Sequence, residues 1–353
     1  MENILNYTRE DLCIWLEKKG IRSFRSGQVF KWLYLKLAKD FEQMTDLGKD
    51  LRFLLSSHFY CDCLTLADKQ VSADTTTKYL FRLTDGACIE SVLIPEKDHF
   101  TLCVSSQVGC AMNCRFCLTA KGGFVRNLTV GEIVAQIREV RGFLAQNNLD
   151  PLRLSNIVFM GMGEPLANYD TLVRALEIIT DTDFGMKFSA RRVTVSTCGL
   201  VPGILALGKT SSVNLAVSLN ATDNRTRSWL MPVNNTYPLE KLLSACKDFT
   251  MKPRNKITFE YILIKGLNDT PGHARQLVRL LAPVRAKVNL IACNPHPGCD
   301  MVPPDPETVQ AFLQVLLDSH MTAILRKSKG ADILAACGQL RARQADADAI
   351  ETR

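Results

Sequence analysis

Three cysteines in the run Gly109-Cys110-Ala111-Met112-Asn113-Cys114-Arg115-Phe116-Cys117 constrain this chain more than any other feature. They are separated by three and then two residues, and they follow directly on an extended apolar stretch, Phe100 to Ser106. Thiolates hold iron–sulfur clusters, and an all-cysteine 4Fe–4S cluster takes four of them. A compact loop that supplies three leaves one iron open to a small chelating ligand. Two plainer readings compete, a zinc site and buried thiols. Zinc needs a fourth ligand, and no His or Cys stands close downstream to complete a paired pattern. The spacing favours the cluster.

At 353 residues and 46% hydrophobic, the chain can bury a large core and is expected to carry a small domain beside a large one. Its thirteen cysteines would suggest disulfides in a small secreted protein. The start, Met1 to Glu10, lacks a basic segment followed by an apolar one, and no uncharged stretch reaches membrane-spanning length. A reducing cytoplasm is therefore expected. Cys13, Cys61, Cys63, Cys88 and Cys246 read as packed apolar side chains; the pair Cys61 and Cys63 has a faint metal-site spacing, but packing is preferred. The net charge of +7 is modest, so its distribution matters more. From Glu17 to Lys36, Lys18, Lys19, Arg22, Arg25, Lys31 and Lys36 face a single acid and interleave with Phe24, Phe30, Trp32 and Tyr34. Such residues can neutralise phosphates and stack on unpaired bases. A helix with solvated charges and core-facing rings would look the same.

Apolar periodicity predicts helices over Leu12–Glu17, Gly27–Ala38 and Leu47–Ser57, so residues 1–75 are expected to form a small helical domain. A hairpin, Lys78–Leu83 and Cys88–Ile94 turned at Asp85-Gly86, is expected as a linker over 76–98. Residues 99–328 then alternate strands with helices. The strands are Thr101–Ser105, Asn156–Met160, Val193–Ser196, Val213–Leu219, Ile257–Ile264 and Val288–Ala292, with Thr322–Leu325 closing the series. The helices are Val130–Leu144, Tyr169–Ile179, Val201–Leu207, Leu239–Phe249, His273–Leu281 and Pro306–Ser319. Thr129 and Glu132 stand in capping-box spacing before the first. Six βα units predict an α/β fold, a partial (β/α)6 TIM-like barrel, short of the eight that close a full one. Residues 329–353 are left as a tail.

In a parallel barrel the chemistry gathers at the carboxyl ends of the strands. The cluster loop follows the first strand. Gly161-Met162-Gly163-Glu164-Pro165 follows the second, where glycines would let backbone approach a ligand and Glu164 offers a carboxylate to an ammonium or ribose hydroxyl. Ser196 ends the third strand, Ser218 and Asn220 the fourth, and Asn294 follows the sixth. Each alone could cap a turn; together they predict a cofactor pocket.

The three-then-two spacing, with Phe116 before the last cysteine, is similar to that of the radical S-adenosylmethionine enzymes. Wider stretches resemble one family among them, the adenine-methylating enzymes of 23S ribosomal RNA, the RlmN/Cfr family. These stretches are Phe24 to Gln28 with Trp32 and Tyr34, Ile89 to Pro95, Cys103 to Cys110, Gly161 to Leu166, and Ala335 to Leu340. Cys103 and Cys337, in these contexts, are what separate the family from the superfamily. The resemblance implies a 4Fe–4S cluster on Cys110, Cys114 and Cys117, and two S-adenosylmethionine molecules per turnover. It implies binding of that cofactor by Gly163, Glu164, Ser196, Ser218, Leu219, Asn220 and Asn294. Cys337 would take a methyl group, Glu90 would remove the adenine ring proton, and Cys103 would attack the sulfur of Cys337 to release the product. The implied substrates are 23S rRNA and tRNA beside the anticodon. A flavodoxin or ferredoxin would donate electrons to a monomeric, cytoplasmic enzyme.

Three positions depart from the family pattern. Asn220 stands where His is usual, which leaves hydrogen bonding but no proton transfer. Ala292-Cys293 precedes Asn294 where a proline and an aromatic are usual, and Cys293 and Cys299 read as incidental. Lys329 replaces an Arg, weakening bidentate phosphate binding. Methylation at adenine C2 is the expected activity. The alternatives are a C8-methylating relative with the same catalytic residues, or an iron–sulfur RNA-binding or electron-transfer protein, which would need neither Glu90 nor Cys337.

Overall fold

The computed structural model describes residues 1–61, 64–249 and 255–342; Cys63 and the end of the tail lie outside them. At the N-terminus, α1 (Arg9–Lys18), α2 (Arg25–Tyr34) and α3 (Lys49–His58) pack around Leu12, Leu16, Val29, Phe30, Leu33 and Leu55. The short parallel pair β1 (Glu2–Asn3) and β2 (Phe59–Tyr60) ties the two ends of this unit together. A capping box starts α1: Thr8 accepts from the Asp11 amide while Asp11 accepts from the Thr8 amide, satisfying two otherwise unpaired donors. Phe30 and Tyr34 lie edge to face at 5.0 Å inside the core. Phe24 is 55% exposed, and Lys18, Lys19 and Arg22 face solvent. The basic stretch is thus partly a core helix and partly a charged surface carrying the exposed Phe24 ring, with the Arg25 guanidinium 5.0 Å from its centre.

Thr65–Val71, expected within the helical segment, is instead strand β3. All seven of its residues are exposed, so it carries no apolar pattern to read; pairing with β4 makes it a strand. The hairpin β4 (Thr77–Arg82) and β5 (Cys88–Pro95) forms as expected but is no linker. β5 pairs antiparallel with β6 (Phe100–Cys103), which merges the hairpin into the main sheet.

From β6 the chain runs through β7 (Gln107–Gly109), α4 (Leu118–Lys121), β8 (Phe124–Asn127) and α5 (Val130–Gln146). It then passes through β9 (Leu154–Phe159), α6 (Tyr169–Thr180), β10 (Val193–Thr197), α7 (Val201–Thr210) and β11 (Asn214–Ser218). Helices α8 (Asn224–Leu230) and α9 (Leu239–Asp248) precede β12 (Ile257–Leu263), α10 (Pro271–Leu281), β13 (Ala286–Ala292), α11 (Pro306–Asp318) and β14 (Ala323–Leu325). The sheet has ten strands in the order β14-β13-β12-β11-β10-β9-β6-β5-β4-β3. Pairing is parallel from β6 through β14 and antiparallel from β6 to β3. β14 and β3 stand at opposite ends, so the barrel does not close by strand pairing.

The N-terminal helices sit on the outside of this barrel. Asn6 accepts from the Gly131 amide at 2.7 Å, and Arg174 reaches both the Asn6 carbonyl and Asp11. No helix among the described residues is long and apolar enough to cross a membrane.

β7 and β8 form a two-stranded ribbon at the base of the cysteine loop. Arg126 on β8 pairs with Asp85 of the hairpin turn and with Glu132, which itself completes the α5 capping box with Thr129. Gly109 has φ +74°, and a Cβ there would lie 1.9 Å from the Gly123 carbonyl oxygen. No side chain fits that crossing without moving backbone. Gly109→Ala should lower the melting temperature and shift the loop that presents Cys110. A reconstituted variant with the parent's Tm and iron content would refute this.

Candidate active site

The polar strand ends converge as a parallel barrel requires, and the loop and the tail meet there. Cys110, Cys114 and Cys117 line one cavity together with Gly161, Gly163, Glu164, Ser196, Ser218 and Cys337. Cys103 lines a smaller neighbouring cavity with Asn294 and Arg326, and Cys337 forms part of the wall of both. Leu219 and Asn220 line neither; both are fully buried behind the wall.

The cysteine loop is held by backbone bonds: the Cys110 amide donates to the Gly123 carbonyl at 2.8 Å and the Cys117 amide to the Cys114 carbonyl at 3.1 Å. Burial pushes the Cys110 thiol up to about 12, holds Cys114 well above its ordinary value and raises Cys117. Each is also raised by a neighbouring cysteine of the pocket, so charge on one thiol is felt by others. Such thiols stay protonated unless a metal replaces the proton. Among the described residues no three His, Cys, Asp or Glu side chains close around a single ion. Three thiols facing one cavity supply the soft sulfur donors that hold iron–sulfur clusters. The donor set fits a cluster with one open iron.

The glycines of the Gly161–Pro165 turn serve the chain's own packing. A Cβ on Gly161 would lie 2.7 Å from the Val104 carbonyl, and one on Gly163 (φ +97°) 2.5 Å from the Gln107 Cβ. They allow the turn to approach closely the segment from Val104 to Gln107, which follows the first parallel strand. Both Glu164 carboxylate oxygens accept backbone amides, from Cys198 at 2.7 Å and Leu166 at 3.1 Å. Burial nevertheless raises its pKa, against those hydrogen bonds. Asn220 adopts φ +59°, a region Asn tolerates better than most residues. Its side chain accepts from the Ile262 amide at 2.9 Å and donates to the Met231 sulfur at 3.3 Å. An asparagine in the usual histidine position thus ties β11 to β12 instead of facing the cavity.

The tail is docked. The Leu118 amide donates to the Gly338 carbonyl at 2.7 Å, Thr119 Oγ1 to the Leu340 carbonyl at 2.6 Å, and Gln339 Nε2 to the Pro295 carbonyl at 2.7 Å. Asn294 donates from Nδ2 to the Cys337 carbonyl at 3.2 Å while Ser328 donates to its Oδ1. Glu90 is buried, paired with Lys78 at 3.2 Å, and accepts the Arg341 amide at 2.8 Å. Burial raises its pKa, and the Lys78 ammonium opposes the rise. Burial pushes the Cys103 thiol up to about 12, further raised by Cys337 and opposed by Arg326.

Sequence reasoning passed over four residues here. Cys198 and Glu260 line the main cavity, Arg326 lines the smaller one, and Arg227 is fully buried and lines neither. Arg227 donates to the Leu219, Ser218 and Cys198 carbonyls and to Asn234, pinning the ends of β10 and β11. Glu260 accepts from Asn289 at 2.9 Å with one oxygen, and its other oxygen and Asn289 Oδ1 have no hydrogen-bond partner. A carboxylate inside the otherwise apolar run Ile257–Leu263 was a legible signal, because Glu is almost never fully buried without a partner. Replacing Cys110, Cys114 or Cys117 by Ala should remove bound iron and 5′-deoxyadenosine formation together. Full iron content in anaerobically reconstituted Cys114→Ala would remove that thiol from the ligand set.

Comparisons with known proteins identify the family of the whole chain. The ribosomal RNA large subunit methyltransferase N-terminal domain matches residues 2–61, and the radical SAM superfamily matches residues 104–278. The dual-specificity RNA methyltransferase RlmN of Desulfosudis oleivorans is 54% identical over 97% of this chain and 91% of the relative. The protein of the same name from Geobacter sulfurreducens is 50% identical over 97% and 92%. A crystal structure of a radical SAM methyltransferase from Sphaerobacter thermophilus superposes with a TM-score of 0.90 at 41% identity, covering 97% of this chain and 100% of that one. With its helical N-terminal unit, its three-cysteine loop and its docked tail, the chain belongs to the RlmN family of radical S-adenosylmethionine RNA methyltransferases, which work with a 4Fe–4S cluster and S-adenosylmethionine.

Proposed function

We propose that this enzyme methylates C2 of a specific adenine in 23S rRNA and of the adenine beside the anticodon in tRNAs, in the cytoplasm and as a monomer. The observation that carries the reading is the place of Cys337, on the wall shared by the cavity of the three loop cysteines and the cavity of Cys103. An adenine ring carbon is electron-poor and carries no acidic proton, so direct displacement at a sulfonium methyl by that carbon is not feasible. A thiolate can make that displacement. Cys337 takes the methyl group from a first S-adenosylmethionine, with S-adenosylhomocysteine leaving. When bound at the loop cysteines, the cluster and a second S-adenosylmethionine supply one-electron cleavage and hydrogen-atom abstraction from the S-methyl group.

The chain's own residues do the rest. Glu90 accepts the ring proton after the new carbon–carbon bond forms, as the radical adduct gives up one electron, which the cluster would take back. The raised pKa of Glu90 makes it a better base than an exposed carboxylate, and Lys78 favours its ionised form. The Cys103 thiolate then attacks the Cys337 sulfur; the disulfide forms as the carbon–sulfur bond breaks, and the methylene left on the base takes up a proton to become the methyl group. Arg326, beside both thiols, favours the thiolate form. Gly163, Glu164, Ser196 and Ser218 face the bound cofactor. Leu219, Asn220 and Asn294 shape its walls from behind or beside. Lys18, Lys19, Arg22 and Arg25 offer phosphate contacts for the RNA. A flavodoxin- or ferredoxin-type protein supplies electrons. The C8-methylating alternative uses the same residues but has no observation in its favour.

Two experiments test the assignment of the thiols. Cys337→Ala should neither load a methyl group nor form an RNA adduct, whereas Cys103→Ala should load Cys337, attack the base and stall as a protein–RNA complex that ribonuclease shortens. Methylated RNA released by Cys103→Ala at the parent rate would sink the resolving role. Digests of RNA from the parent enzyme should contain 2-methyladenosine and no 8-methyladenosine by mass spectrometry. In single turnover, adduct release should accelerate about tenfold per pH unit between pH 7 and 9, because Cys103 lies far below half-ionised there with its pKa near 12. A flat profile over that range would exclude thiolate attack as the slow step.

A further inference from the structure

The inner cavity is not the only approach to the loop cysteines. A second, open groove on the outer side of the loop is lined by Cys114, Arg115, Lys121, Trp229, Lys265 and the turn 298–302. Among the described residues Cys114 is the one loop cysteine that lines both the groove and the inner cavity. Arg115, Lys121 and Lys265 are exposed, and Asp300 is the single acid lining the groove. Lys265 also pairs with Asp305 at 3.1 Å at the rim. Trp229 is 45% exposed with the Arg115 guanidinium 4.8 Å from its ring, and Val302 is 49% exposed. An open groove with exposed apolar side chains, three exposed cations and one lining acid thus reaches the outer side of Cys114.

We propose that this groove docks the acidic one-electron carrier protein that reduces the cluster. The inference rests on the radical reading above, in which the cluster must be reduced by one electron from outside the enzyme before the cofactor is cleaved. That electron leaves the carrier, which is oxidised by one equivalent, and enters the cluster beside Cys114. Charge complementarity selects an acidic partner, and rim charges act mainly on encounter. RNA is acidic too, but a target adenine must reach Cys337 and Cys103. Those thiols lie on the inner cavities, and neither lines this groove. An electron needs only the sulfur of Cys114. The position of the groove fits the electron and not the base.

The test uses the reconstituted holoenzyme with Arg115→Glu and Lys121→Glu, and separately with Lys121→Glu and Lys265→Glu. The second pair stands outside the cysteine run, should cluster loading suffer in the first. Affinity for an oxidised flavodoxin should fall about tenfold at low salt, with a flatter salt dependence. 5′-Deoxyadenosine formation at sub-saturating reduced flavodoxin should fall by a similar factor. With dithionite as reductant it should stay at the parent rate, and RNA affinity should not change. Unchanged flavodoxin affinity in a variant with full iron content would overturn the proposal. So would weakened RNA binding with slower dithionite-driven turnover, which would make the groove an RNA surface. Failure of the parent enzyme to make 5′-deoxyadenosine with dithionite would instead count against the radical reading itself.

Discussion

The barrel's missing closure is bridged by the tail, and the position of Cys337 depends on that bridge. After β14 the Gly330 amide donates to Asp74, Asp332 accepts from Ser72 and the Ala73 amide, and Lys78 reaches the Leu334 carbonyl. These bonds carry the chain from the last parallel strand to the β3–β4 turn at the opposite end of the sheet. The tail then doubles back over the cavity and is pinned on the loop helix at Leu118 and Thr119 and on Glu90 by the Arg341 amide. Two αL residues, Gly330 and Leu334, make the bends possible. The exposed hairpin edge, the cysteine loop and the tail therefore share one set of hydrogen bonds. Glu90 is positioned by the same contact that seats the residues after Cys337.

Burial sets the electrostatics of the site. The three loop thiols, Cys103, Glu90, Glu164 and Glu260 all have their charged forms penalised first by desolvation. Against this the fold places a few cations: half-buried Arg326 beside Cys103, Cys337 and Glu260, and buried Lys78 on Glu90 and Arg227 near Cys114 and Cys198. A buried charge is tolerated when paired and costly when alone. Glu90, Glu260, Cys103 and Cys114 thus each have a compensating cation, whereas Glu164 is held by backbone amides. This suits chemistry that moves protons and electrons only in a set order.

The N-terminal helices are anchored on α5 and α6 through Asn6, Asp11 and Arg138, the last donating to the Ala38 carbonyl at 2.8 Å. Their exposed cations and Phe24 therefore keep a fixed relation to the barrel. α5 is in turn capped by Glu132, which Arg126 links to the base of the cysteine loop. A chain of polar contacts runs from the small domain to the loop without crossing the cavity.

The sequence by itself determined the alternation of strands and helices, because periods of two and 3.6 are written in local apolar spacing. It also determined the cluster motif, because three ligands from one loop are a local property. The extra thiols Cys103 and Cys337 were legible through their contexts. Only the tertiary structure decided that Thr65–Val71 is a strand, since an exposed edge strand carries no apolar signature and is made by its partner. It alone turned the hairpin from a linker into part of the sheet. It decided that Gly161 and Gly163 serve backbone packing, that Asn220 braces two strands, and that Cys198, Glu260 and Arg326 join the site. Each of these rests on residues far apart in the chain, and no local pattern records which distant groups a side chain will meet.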